Sequence, residues 1–155
     1  MMRTLLRGGL AGAAGTTVLN AVTYGDMALR GRPASTVPEA TVEALADRAG
    51  VTIDGTGQTR DNRVSALAAL SGIATGVGVG TAVAVLRKAG VRLPLWAGGV
   101  LTGALAMAVT DLSMAELKVS DPRTWSGADW VSDAIPHLLY GLATYGVVTA
   151  GERRA

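Results

Sequence analysis

Four long runs of the chain carry no charged side chain, and they constrain the fold more than any motif does. Gly8 to Gly25, Leu93 to Thr110 and Ala134 to Gly151 each run for 18 residues, and Val64 to Leu86 runs for 23. A helix needs about 20 mostly apolar residues to cross a hydrocarbon core, with a lower limit of about 17. One such run reads equally well as a buried core helix. Four of them in 155 residues read as a helical membrane bundle. Inside lipid every backbone N–H and C=O must be bonded internally, so an open sheet is excluded.

Composition agrees. Charged residues make up 17% against about 25% in ordinary soluble domains. The mean hydropathy is +0.35. Apolar mass comes from Ala, Val, Leu and 21 Gly, with no Phe. These figures disfavour disorder, a coiled coil and a disulfide scaffold. With no Cys and one His, a thiolate nucleophile and a Cys-type zinc site are both excluded. The expected architecture is therefore all-α: a single membrane domain, 1–155, forming a four-helix transmembrane bundle. Spans are expected at about 6–28, 62–88, 93–115 and 131–151.

The first span is the weakest, since it carries Asn20, three Thr and five Gly. A basic start, Met1 to Arg7, followed by a short apolar run also suits a signal peptide. A retained helix is preferred, because the uncharged run reaches Gly25 and three more spans follow. Basic residues are concentrated in short segments at one side: Arg3, Arg7, Arg87, Lys88, Arg92, Arg153 and Arg154, with Glu152 the only acid. The other side holds as many basic residues, but diluted over long segments with eleven acids. The positive-inside rule then puts both termini in the cytoplasm of a bacterial inner membrane. No nucleic-acid surface is expected, because nothing interleaves aromatic with basic residues.

Between the first two spans, Thr36-Val37-Pro38-Glu39 reads as a capping box with Pro just inside the helix start. Val42, Leu45, Ala46 and Ala49 follow at helical spacing, then Gly50, which predicts a short amphipathic helix over 38–49 within an outer segment, 29–61. Its polar face is acidic (Glu39, Glu43, Asp47), so it reads as a lid or packing element, not a grip on anionic lipid. Gly55-Thr56-Gly57 lacks the context of a phosphate loop. Trp96 on the inner side, with Trp125 and Trp130 on the outer, are expected at headgroup level.

Gly72, Gly76 and Gly80 repeat every four residues, as do Gly8 and Gly12, and Gly99 and Gly103. Such spacing lets another helix backbone approach closely. Packing within the bundle is the expected use. Homo-oligomerisation through the second span and glycine lining of a narrow pore are the alternatives; the expected partners are the lipid bilayer and either a second copy or a larger membrane complex. Two polar stripes accompany these faces: Gly12, Thr16, Asn20 and Thr23, and Asp133, His137, Tyr140 or Gly141, and Thr144.

Enzymatic constellations are missing. The sequence holds no GxSxG elbow, no HExxH and no Cys–His couple. No catalytic residue, metal or cofactor is expected. The remaining chemistry is a cluster: Asp111, Asp133 and His137 all fall near the outer ends of their spans, with Asn20 on the facing stripe. Asp133 and His137 share a helix face one turn apart, and imidazole changes charge in the ordinary pH range. The cluster is therefore expected to be proton-sensitive, with a purely structural histidine as the competing reading.

Leu95-Trp96 opening a glycine-rich span, Gly103-Ala104-Leu105-Ala106, and Ser132-Asp133 with His137-Leu138 one turn later resemble the YagU-like family of small bacterial inner-membrane proteins. The resemblance covers roughly residues 93 to 145. The first half departs in the length and content of its outer segment. The resemblance implies a multi-span inner-membrane protein loosely linked to acid tolerance, and carries over only Trp96, Asp133 and His137. The expected function is thus a non-enzymatic inner-membrane protein, structural or a partner subunit. The alternative is a proton- or small-ion-responsive channel or transporter.

Overall fold

In the computed structural model, which describes residues 1–152, the four uncharged runs lie, apart from Leu93 and Pro94, which precede theirs, in four long helices. These are α1 (Met2–Arg30), α3 (Gly57–Lys88), α4 (Leu95–Glu116) and α5 (Gly127–Glu152). The shorter α2 (Val37–Ala49) and a single 3₁₀ turn (Pro122–Thr124) complete the order, with no strand among the described residues. Arg153 and Arg154, counted among the inner basic residues, lie outside the described residues.

The helices outrun the uncharged stretches because charge does not end a helix; backbone conformation does. α1 ends where Gly31 turns left-handed at φ 63°, and α2 where Gly50 does so at φ 66°. The α3–α4 connection turns at Gly90, and Pro94 precedes the first residue of α4.

Seen along the bundle, the helices form an arc in the order α3, α1, α5, α4. α1 packs along both α3 and α5, and α5 along both α1 and α4, while α3 and α4 meet over only a short stretch. The core where all four converge is small: Val79 and Val83 from α3, Ala106 from α4, and Tyr140 and Tyr145 from α5, with Leu19 of α1 against them.

Glycine makes the helix contacts. On the α1–α3 seam, a Cβ on Gly80 would stand 2.6 Å from the Gly12 Cα, and one on Gly8 would stand 2.6 Å from the Thr81 Cα. On the α4–α5 seam, Gly99 meets Leu142, and Gly103 meets the backbone of His137 and Leu138. Gly76 makes room for Thr16. Gly72 departs from the pattern: among the described residues nothing lies within 4 Å of the Cβ it would carry. The four-residue repeat continues there, but the position is exposed. Gly15, Gly98 and Gly141 close three further contacts, against Thr144 and Tyr140, against the Tyr145 ring, and against the backbone of Gly99 and Gly103 respectively.

The second helix sits otherwise than its sequence suggests. Thr36 is in the right-handed helical region, at φ −93° and ψ −1°, and its side chain makes no cap bond. The expected capping box is therefore not formed; Ser35 Oγ accepts from the Val37 N–H instead. Two of the stripe's three acids, Glu39 and Glu43, turn toward α3, while Asp47 stays exposed. Glu39 accepts from Ser65 and Glu43 pairs with Arg60, while Val42 is buried between these polar contacts and Leu45 stays exposed. An exposed Arg48–Glu116 pair at 3.3 Å ties the end of α2 to the end of α4, a contact worth at most about 1 kcal/mol.

Candidate functional site: a polar stripe inside the bundle

The antiparallel connections bring the end of α1, the start of α3, the end of α4 and the start of α5 to one end of the bundle. Arg30 of α1 bonds Ser132 Oγ of α5 at 3.0 Å there, and pairs with Asp26, as does Arg32. Asp26 is thereby committed to two guanidinium groups at the surface.

Asp111, Asp133 and His137 lie deeper at the same end. His137 Nδ1 lies 3.3 Å from Asp133 Oδ1 and 2.9 Å from the Asp133 carbonyl. Pro136, immediately before it, has no N–H to give the Ser132 carbonyl, which loosens the helix one turn before the histidine. Asp111 is buried on α4, within electrostatic reach of both Asp133 and His137, and Thr110 Oγ1 contacts its Oδ1 at 3.4 Å. The other carboxylate oxygen of Asp133, Oδ2, is buried without a hydrogen-bond partner among the described residues. Asn20 is half-buried on α1, and no hydrogen bond among the described residues ties it to the acids or the histidine.

The stripe continues inward along α5. Tyr140 is buried, and its hydroxyl donates to the Gly76 carbonyl at 2.6 Å. Thr144 is buried next to Gly15, with its hydroxyl unpartnered among the described residues.

The opposite end carries a polar lock that the charge count does not reveal. Arg87 opens the basic trio Arg87, Lys88 and Arg92 in sequence, yet its side chain turns into the bundle and is buried. It donates to the Tyr145 hydroxyl and stacks on that ring, with Cζ 4.8 Å from the centroid. The same hydroxyl accepts from the Leu93 N–H and donates to the Leu93 carbonyl, each at 3.0 Å. One phenol thus joins α3, α5 and the chain entering α4. The only sequence signal was Tyr145 itself, a polar-tipped residue in an uncharged run.

In and beside the α4–α5 connection the electrostatics are conventional. Arg123 holds the Asp121 carboxyl below its usual range, and the Ser126 hydroxyl and backbone N–H do so for Asp129. Trp125 and Trp130 meet edge to face at 5.2 Å, and Trp125 Nε1 donates to Ser120 Oγ. Trp96 stands exposed at the other end.

The arrangement has no nucleophile with a base, and no trio of His, Cys, Asp or Glu placed to hold a metal ion among the described residues. What it brings together is two carboxylates, one imidazole and a row of hydroxyl groups. No family model, curated protein or solved structure matches the chain.

Proposed function

We propose that the chain is a four-span, non-enzymatic protein of the bacterial inner membrane, with both termini cytoplasmic, acting structurally or as a partner subunit. The observation that carries this reading is an inverted distribution of polarity. α3 and α4 are long and apolar enough to cross a membrane, yet only 28% and 33% of their most apolar stretches are buried inside the protein. Leu67, Leu70, Ile73, Val100, Leu101 and Leu105 face outward. Glycines, Thr102, Thr144 and Asp111 face inward. Water would penalise so large an apolar exterior, whereas lipid solvates it.

The arc order accounts for the two less apolar helices. α1 and α5 each lie between two neighbours, so less of their surface needs to be apolar; α3 and α4 end the arc. The resemblance of residues 93–145 to the YagU-like family belongs to the same reading. Reporter fusions after Leu29, Lys88, Arg123 and the last residue test it, with out, in, out, in expected. Identical signals at Leu29 and Lys88 would overturn the four-span reading. Native purification in mild detergent tests the subunit role by stoichiometric recovery of a larger partner.

A second reading, proton responsiveness, has its own support. Asp111 and Asp133 are two carboxylates served by one imidazole, and an oxygen of Asp133 is buried unpaired. Buried ionisable groups at membrane depth mark functional sites more often than structural ones.

A further inference from the structure

We propose that the α5 stripe Asp133, His137, Tyr140 and Thr144 is a proton-binding well, open to the Asp111 end of the bundle and sealed from the other end. It senses the pH of one compartment and does not carry protons across. The inference rests on the membrane reading above and refines its proton-responsive form.

Exposure falls steadily along the stripe. The Asp133 side chain is 25% exposed and that of His137 12%, while Tyr140 is 1% exposed and Thr144 0%. From Asp133 to Thr144 the helix rises about 16 Å, half of a hydrocarbon core of about 30 Å. Polar atoms without partners stand at the mouth and at the floor, Asp133 Oδ2 and Thr144 Oγ1. Leaving such an atom unsatisfied costs about 1–3 kcal/mol. A proton on the carboxylate turns the first from an orphan acceptor into a donor.

Below Thr144 the next position on the stripe is Val148, packed with Ala11 of α1 and Ala84 of α3. These methyl groups replace hydroxyls where a through path would need them. Toward the other end the Arg87 guanidinium stacks on the Tyr145 ring.

The close packing also selects the ligand. A Cβ on Gly15 would overlap the Thr144 hydroxyl and stand 2.8 Å from the Tyr140 ring. A hydrated cation has no room at such a contact, whereas a proton needs none. The charged groups acting on His137 are Asp133 of its own helix and Asp111 of α4. From α1, Asn20 reaches this level and Asp26 is held by Arg30 and Arg32. The charged residues at the start of α3, Asp61 and Arg63, remain exposed.

His137 is the single histidine, so histidine-selective isotope labelling gives one imidazole signal by NMR. The full chain is placed in uniformly oriented proteoliposomes, and the pH on each side is varied separately between about 5 and 8. The signal is expected to titrate with the pH on the Asp111 side and to ignore the other. A luminal pH dye should show proton entry no faster than in protein-free liposomes. Asp133→Asn, or Asp111→Asn if the first variant does not fold, should change the proton affinity of His137 about tenfold, one pKa unit. Titration from both sides, proton entry tenfold above protein-free liposomes, or an unchanged affinity in the folded variant would each overturn the well. Release of the wild type by alkaline carbonate would instead overturn the membrane reading beneath it.

Discussion

The Tyr140 hydroxyl on α5 donates a 2.6 Å hydrogen bond to the backbone carbonyl of Gly76 on α3. A Cβ on residue 76 would overlap the Thr16 hydroxyl of α1 and stand in ordinary contact, 3.5 Å, with the Tyr140 ring. The bond joins the polar stripe to a helix two places away in the arc. Tyr140→Phe keeps the ring and removes the bond, so it should cost about 1 kcal/mol. Thermal unfolding in mild detergent measures the loss, and an unchanged midpoint would leave the bond without a stabilising role.

Glycine contacts differ in what they meet, which ranks their variants. A Cβ at Gly80 would stand 2.5 Å from the Gly12 backbone nitrogen, and backbone cannot rotate away. Gly80→Ala should therefore cost about 1–3 kcal/mol. Gly78 and Gly72 have open space, and Ala there should be neutral or stabilise the helix by up to about 1 kcal/mol. Equal effects at Gly78 and Gly80 would refute the close α1–α3 seam.

Tyr145→Phe removes the acceptor for Arg87 and for the Leu93 N–H at once. A loss of about 1–3 kcal/mol is expected, as groups lose a buried partner. Tyr24, exposed on α1, is the matched control, and Tyr24→Phe should leave the unfolding midpoint in place.

At the start of α5, Ser126 and Asp129 bond reciprocally: the Ser126 N–H and hydroxyl donate to Asp129 Oδ2, and the Asp129 N–H donates to Ser126 Oγ. These bonds hold the Asp129 carboxyl below its ordinary range. A depressed acid stabilises the fold above its unfolded pKa, and the contribution disappears as pH falls through the folded one. Stability should thus decline on the acid side, below the ordinary aspartate range. Ser126→Ala should lower the unfolding midpoint slightly at neutral pH and flatten that acid-side decline. A decline of the same slope in the variant would assign it to other carboxylates.

Much of the fold was legible as absence of charge. Four uncharged runs set four long helices, because an apolar run of that length has one way to satisfy its backbone away from water. Gly50 ended α2 where its spacing said it should. The Asp133–His137 contact was legible too, since one helical turn fixes which residues share a face whatever the rest of the chain does.

Other features depended on distance across the bundle. Thr36 and Glu39 had the spacing of a capping box, but Ser65 and the α3 surface took Glu39. Gly72 kept the glycine repeat, yet it is exposed with no neighbour against it. Arg87 looked like one more inner-side cation until Tyr145 drew it inward. For Glu39 and Arg87 the local pattern offered one role and a residue far away in sequence supplied another; for Gly72 the pattern offered a contact that no neighbour fills. Sequence periodicity reports which side chains share a face; only the packed helices decide what that face meets, because the partner backbone, not the repeat, sets the contact.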